Sequence, residues 1–419
     1  MVHLVRPGLV HRLCYTDSDL FEREMRDLFG GVWTYLGHES QIREPGDFVT
    51  TTLGRRPVLL CRSDDGQVRA LLNRCMHRAV VVCTEPCGRA ARFTCPYHGW
   101  TYANDGRLAA VPFAAEYGPD FDKAERSLRP VTHVDSRSGF LFGSMREDPP
   151  PLEDWLGPAA SWIDFFADRA PDGALSLSPV PLRVRFAGNW KLVWDNAADG
   201  LHATFAHRSY NDLGHQRDRH TVLARDPART PMYASALGHG HQVVDQRPDL
   251  HNGFWASQRP VPHSDVLTAA LRERVGAERA GEWLELATGA MVNLSVFPNL
   301  IFVGNQLMVV EPLSVGETRL TLWLMVSPRH PDEVDSLRLR VEEDFTNFGT
   351  PDDLAMFERA QQGLAVEEVE WVDISRGVHL DDERRGSDGV VTGPITSEAP
   401  ARGFWDAWVA ALDGHPSEG

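Results

Sequence analysis

The sequence lacks any apolar run approaching the length of a membrane span. Its first residues, MVHLVRPGLVHRLCYTDSD, hold no apolar core of a secretory signal, so the expected compartment is the cytoplasm and no membrane partner is expected. Positive charge is short: 42 Lys and Arg stand against 59 Asp and Glu, a net −17. That balance argues against nucleic acid or an anionic membrane surface as partner, but a local pocket could still take a small anionic ligand. Cysteine is sparse, six in 419 residues, and its spacing suggests no disulfide framework. No glycine-rich dinucleotide fingerprint occurs, so the chain is not expected to bind a nicotinamide cofactor itself. What remains is an ordinary globular composition, 42% hydrophobic, on a chain long enough for two or three domains.

The pattern along the chain predicts an α+β protein. Residues 16–29 read as a helix, with Thr16 and Asp19 as a capping-box-like start and Gly30-Gly31 as its stop. Residues 1–34 are therefore assigned to an N-terminal helical segment packing on the larger domain. From 35 to 148 short β-type runs (DFVTTTL, RPVLLCR, QVRALLN, RFTCPY, SGFLFGSM) alternate with turns, predicting a small antiparallel β domain. The proline cluster near Pro149 ends it. Residues 149–419 are assigned to a larger domain with an antiparallel sheet flanked by helices. Its strand candidates are LRVRFAG, MVNLSVF, NLIFVG, LMVVEPL and TRLTLWLMVS, the last three as neighbours. Helices are predicted over 152–168, 264–286, 332–348 and 352–364, and an irregular lid over 212–260.

Chemistry concentrates first between Asn73 and Tyr102. Cys75-x-His77 and Cys95-x-x-His98 form two mixed arms, seventeen residues apart. Two Cys and two His could surround one zinc, but zinc fingers usually group like ligands in one arm. Mixed arms suit a two-iron, two-sulfide cluster with Cys on one iron and His on the other, where imidazole raises the reduction potential. Cys83 and Cys87 lie between the arms and read as small loop residues rather than ligands.

A second group follows at Asp199, His202 and His207. Asp199 and His202, three apart, can share a helix face. His202 and His207, five apart, would splay by about 140° on an ideal helix, so both reach one metal only if the helix ends or kinks between them. Taken alone the pair is weak, because histidines near a helix are more often structural. With a distant carboxylate it would make the facial triad of non-haem Fe(II) oxygenases.

The first stretch resembles the Rieske motif, C-x-H…C-x-x-H, with Ala79 where glycine is usual. The second, Gly188 to His207, resembles the catalytic motif of Rieske non-haem iron oxygenases, N-W-K-x-x-x-E-N-x-x-D-x-Y-H-x-x-x-x-H, with Asp195 for Glu and Leu201 for Tyr. In order and in register, the two cover nearly the whole chain and resemble the large (alpha) subunit of aromatic-ring-hydroxylating oxygenases, of the benzoate, salicylate and terephthalate branch.

The resemblance implies a Rieske domain over 35–148 and a helix-grip catalytic domain over 149–419. It implies one [2Fe-2S] cluster on Cys75, His77, Cys95 and His98, and one mononuclear Fe(II) on His202, His207 and a late carboxylate. Thr350-Pro-Asp-Asp353, with Gln361 eight positions on, assigns that carboxylate to Asp353; both aspartates have an alternative role at a helix N-terminus. Asp199 is implied to bridge a Rieske His of one subunit to His202 of the next, the donor being His98 or His77. The alternative is that Asp199 merely orients His202.

The implied reaction hydroxylates an aromatic, carboxylated ring with dioxygen, by cis-dihydroxylation, monohydroxylation or O-demethylation. NADH supplies electrons through a separate reductase or ferredoxin, and the assembly is an alpha trimer with or without a small beta subunit. Asn196 by motif position, and Asn305 and Gln306 on a predicted strand, are candidates for the substrate pocket. A pure electron carrier without mononuclear iron and a zinc-stapled binding module are the rival readings.

Overall fold

Strand-forming residues dominate Phe29–Leu152, the smaller of two units into which contacts divide the chain; the other joins Met1–Leu28 to Glu153–Gly419. The structure is a computed structural model and describes residues 1, 3–168, 170, 175–208, 232–246, 264–280, 292–327, 346 and 349–413. In the smaller unit, strand Asp47–Leu53 returns through Gly54-Arg55 into Arg56–Arg62, pairing Leu53 with Arg56. Gly54 has φ 59°, the left-handed conformation that a two-residue hairpin turn requires. Val68–Leu72 extends this sheet on one side and Cys87–Arg89 on the other.

Arg56–Arg62 is buried on both faces, which is why RPVLLCR reads as a continuous apolar run. Leu59 and Cys61 point into a core with Phe48, Phe93, Trp100 and Tyr102. Val58 and Leu60 point the other way, toward Leu36, Ile42, Val131 and Leu141. Two three-stranded sheets complete the unit, and one of them (Arg92–Thr94, Thr101–Ala103, Leu108–Ala110) flanks the second ligand arm.

The larger unit is built on an antiparallel sheet, ten-stranded among the described residues. Leu300–Val303, Gln306–Ser314 and Glu317–Val326 are consecutive neighbours joined by short turns, as their sequence spacing predicts. Leu182–Phe186 and Val292–Val296 also fall where strands are expected.

Several expectations need correction. The predicted irregular stretch 212–260 contains a regular hairpin, Tyr233–Gly238 with His241–Asp245, in the middle of the sheet; the rest of it lies outside the described residues. The helix predicted over 152–168 is two, Leu152–Leu156 and Ala159–Asp168, because Gly157 turns left-handed (φ 46°) ahead of Pro158. The 264–286 helix is described over Ser264–Val275, followed by Gly276 at φ 87°. Residues 332–348 fall outside the described residues except Thr346. Ala399–Asp413, a helix beyond the sequence expectation, packs on the hairpin and buries Phe404, Trp405 and Trp408.

The helix predicted over 16–29 is broken into Leu13–Thr16, Ser18–Arg23 and a wider π turn, Glu24–Leu28. Its cap is Asp17, which accepts from Leu20 N at 2.8 Å, whereas Thr16 Oγ1 donates back to Arg12 O. The π turn coincides with Glu24, a carboxylate fully buried in the larger unit. Glu24 accepts from Lys191 Nζ at 2.6 Å, Trp408 Nε1 at 2.8 Å and Trp190 Nε1 at 2.9 Å. Lys191 is equally buried, so each charge is tolerated only because the other is present and both are hydrogen-bonded. Lys191→Met alone is expected to cost about 3–5 kcal/mol, and less when combined with Glu24→Gln. Urea unfolding followed by tryptophan fluorescence measures it; an unchanged midpoint in Lys191→Met would refute the account.

Candidate metal centres

The first centre is formed by two hydrogen-bonded loops of the smaller unit. Asn73, buried at the end of Val68–Leu72, ties the first: its Oδ1 accepts from Val82 N and Cys83 N, and its Nδ2 donates to Cys83 O at 2.7 Å. Within that loop Cys75 N donates to Val80 O and Ala79 N to Cys75 O. Ala79 takes φ 62°, so alanine adopts here the conformation glycine would adopt. In the second loop Cys95 N donates to Trp100 O, and Gly99 N to Cys95 O with φ 70°.

The outcome buries Cys75 and Cys95 and leaves His77 and His98 half-buried, their rings 4.6 Å apart. His77 stacks on Trp100 at 5.0 Å and 8°, and burial pushes its pKa down, favouring the neutral, ligating form. Tyr102 Oη lies 3.3 Å from Cys75 Sγ and accepts from Met76 N at 3.0 Å. His77 Nδ1 is buried without a hydrogen-bond partner among the described residues, the condition of a nitrogen shaped for a metal. Cys83 is half-buried in the loop, as expected. Cys87 instead is exposed on a short strand, away from a ligand's environment.

The second centre lies in the larger unit, where three elements converge. Helix Lys191–Ala197 ends at Ala198, and a new helix, His202–Phe205, lasts one turn before the chain bends through Ala206 to His207. The helix thus ends between the histidines, bringing their rings to 5.1 Å. Asp353 arrives from the first turn of Thr350–Leu364. Its Oδ1 is 3.6 Å from His202 Nε2 and 3.4 Å from His207 Nε2, and one donor atom from each residue lies within 4.8 Å of the others.

Asn196 Nδ2 donates to the same Oδ1 at 3.2 Å. Burial pushes the Asp353 carboxyl up, with the His207 and His202 charges opposing, and burial lowers the pKa of His207. A half-buried carboxylate facing two imidazoles is the donor set that a divalent iron would complete. Gln361 Oε1 accepts from Asn189 N at 2.9 Å, tying this helix to the loop before Lys191.

Asp199 does not share a helix face with His202, contrary to the spacing argument. It lies in the turn between the two helices, where its carboxylate accepts from Leu201 N at 2.8 Å. Its backbone carbonyl, not its side chain, hydrogen-bonds His202 Nδ1 and so directs Nε2 to the centre. Asp195, where the motif has Glu, is half-buried; it accepts from Tyr15 Oη at 2.6 Å and Trp405 Nε1 at 3.1 Å, and desolvation raises its pKa to about 6.

A mostly apolar pocket opens beside Asp353, between the sheet residues Ile301, Val303 and Met308 and the helix residues Val193, Leu354 and Phe357. Asn196 lines it, as does Asn293, a strand residue paired with Val303 that the sequence reading did not single out. Asn305 and Gln306 are buried and absent from its described lining; Gln306 Nε2 donates to Thr346 Oγ1 at 2.9 Å. Polar alternation along VNLSV is the signal that could have found Asn293.

Both parts of the chain match known domain families. Residues 32–128 match the Rieske [2Fe-2S] domain, and residues 167–414 match the ring hydroxylating alpha subunit catalytic domain. The chain belongs to the ring-hydroxylating oxygenase alpha subunits. It is 35% identical to the toluate 1,2-dioxygenase alpha subunit of Pseudomonas putida, over 91% of this chain and 82% of that one. It is 34% identical to the anthranilate 1,2-dioxygenase large subunit of Acinetobacter baylyi, over 88% and 80% respectively. The fold superposes on a naphthalene 1,2-dioxygenase bound to phenanthrene with TM-score 0.83, at 26% identity over 98% of this chain and 94% of that one. As an alpha subunit of this family, the chain is a Rieske non-haem iron oxygenase that takes a Rieske cluster and a mononuclear iron.

His202→Ala or His207→Ala is expected to lower iron from about three to about two per chain while acid-labile sulfide stays near two. Iron and sulfide analysis of anaerobically purified protein checks this; zinc without sulfide in the wild type would overturn both centres. Tyr102→Phe, which removes the hydroxyl beside Cys75, is expected to lower the cluster's reduction potential in a redox titration.

Proposed function

We propose that this alpha subunit cis-dihydroxylates an aromatic carboxylate. The observation that carries the reading is the converging Asp353, His202 and His207 triad at the side of an apolar pocket, in a chain similar to enzymes named for toluate and anthranilate. Cys75, His77, Cys95 and His98 hold the cluster in this reading, and His202, His207 and Asp353 hold the mononuclear iron. When bound, the cluster supplies single electrons and the mononuclear iron activates dioxygen beside the ring.

The chain's own residues do the rest. The Asp199 carbonyl fixes the His202 tautomer, and Asn196 orients Asp353. Val193, Ile301, Val303 and Phe357 pack against the ring, keep water away and decide which carbons face the metal. Overall, one arene, one dioxygen, two electrons and two protons give one cis-dihydrodiol that carries both oxygen atoms.

The Asp199 carboxylate is the proposed bridge between a Rieske histidine of one chain and His202 of the next, which implies a trimer. A separate reductase or ferredoxin delivers electrons from NADH, a small beta subunit completes the assembly, and the cytoplasm is the proposed compartment. The domain limits assigned are 1–34, 35–148 and 149–419. Among the described residues no helix is long and apolar enough to cross a membrane.

Two measurements test this. A screen of benzoates, salicylates and phthalates with a reductase and labelled dioxygen is expected to yield a diol carrying both labelled atoms. Oxygen uptake without any such product, in iron-replete protein, would overturn the substrate class. Asp199→Asn is expected to keep the Rieske spectrum and iron content yet lose coupled turnover; normal turnover would sink the bridging role.

A further inference from the structure

Asp199 is approached from the far end of the chain. Arg376, just after strand Trp371–Asp373, reaches its carboxylate: a guanidinium nitrogen lies 3.1 Å from Asp199 Oδ1. That same oxygen accepts from Leu201 N. Asp199 Oδ2 accepts no hydrogen bond from the described residues, and the side chain stays 25% exposed.

Arg376 is itself held by three contacts, two from its guanidinium and one from its backbone. Its Nε donates to Thr396 O at 2.6 Å, it lies 3.3 Å from Glu398 Oε1, and the Arg376 backbone N–H donates to Glu398 Oε2 at 2.8 Å. The Arg376 carbonyl in turn accepts from Arg402 and from Glu398 N. The facing loop is drawn in as well: Gly200 N donates to Ile395 O, and a Cβ on Gly200 would stand 2.2 Å from Ile395 Cγ1, so only glycine allows this approach.

We propose that Arg376 is a positioning residue for electron transfer: it orients the Asp199 carboxylate so that one oxygen stays open to an imidazole N–H from a neighbouring chain. This rests on the bridging role proposed for Asp199. A cation held by Thr396 and Glu398 suits the task, since its single contact anchors one oxygen of Asp199 while leaving the second unoccupied. In the step concerned, one electron leaves the reduced cluster of one chain, which is oxidised. It reduces the mononuclear centre of the next, with dioxygen as final acceptor. A purely structural alternative exists: Arg376 could do no more than tie the segment from Trp371 to Glu398 onto the body of the unit.

The test separates the two. Holoenzyme of wild type, Arg376→Gln, Arg376→Lys and Asp199→Asn is reduced with dithionite, freed of excess reductant and mixed with benzoate and dioxygen. Re-oxidation of the cluster is followed by its visible absorbance, alongside iron and sulfide content and the mass of the assembly. Arg376→Gln is expected to slow re-oxidation about 10- to 100-fold with iron, sulfide and assembly unchanged, and Arg376→Lys to recover most of the rate. Wild-type re-oxidation in Arg376→Gln overturns the inference. So does slowing accompanied by lost iron or a dissociated assembly, and so does equal slowing in Arg376→Lys. If Asp199→Asn re-oxidises at the wild-type rate, the bridging role itself falls, and this inference with it. If Asp199→Asn is slow and Arg376→Gln is not, the bridge stands and only Arg376 is dismissed.

Discussion

A carboxylate buried between two imidazoles is the constraint around which the larger unit is arranged. Burial raises the pKa of Asp353, and His207 and His202 beside it offset that cost only in part. A divalent cation would offset it, which is why a carboxylate can stand here beside two imidazoles. The surroundings supply rigidity in advance. Asn196 fixes Asp353 from Lys191–Ala197, and that helix is itself pinned at both ends of its face: Lys191 by Glu24, and Asp195 by Tyr15 and Trp405. The N-terminal segment and the C-terminal helix therefore share one task, which is to keep a short helix from shifting beside Asp353.

Much of this was legible in the sequence because ligand chemistry leaves a dense local mark. The two mixed Cys/His arms, and the five-residue step from His202 to His207 that demands a helix end, each specify geometry within a few positions. The sheet was legible too, since strands such as LMVVEPL and TRLTLWLMVS are long and apolar enough for their pairing to follow from order alone. What escaped depends on partners distant in sequence. Nothing near Glu24 signals that Lys191 and Trp408 will meet it, so the π turn at Glu24–Leu28 could not be foreseen from a helical repeat. The hairpin around His239 was obscured by polar flanking sequence and by strands that are buried on both faces and so show no alternation.

Ala79 shows how tertiary hydrogen bonds can override a local preference. An alanine in the left-handed region costs about 1–2 kcal/mol, yet the loop closes around it because Asn73, Cys75 and Val80 have already set where its ends must lie. The loop therefore carries the strain of alanine in a conformation that glycine would adopt freely. Asp195 follows the same logic in reverse. One methylene shorter than glutamate, it still finds Tyr15 and Trp405, because these arrive from two other elements that bring the donors to it.

The turn carrying Asp199 divides its polar groups between two jobs. Its carbonyl serves His202, inside the unit, while its carboxylate faces Leu201 N and Arg376 at a partly exposed edge. A single side chain asked to orient the inner histidine and also meet an outside partner would have to compromise on both geometries. Assigning the inner task to the backbone removes that conflict, because a carbonyl held between two helices has almost no freedom to follow the side chain. The carboxylate is then free to be set by whatever anchors its Oδ1. The segment from Trp371 to Glu398, which must pass within contact of Gly200 to reach the C-terminal helix, brings the guanidinium that does so.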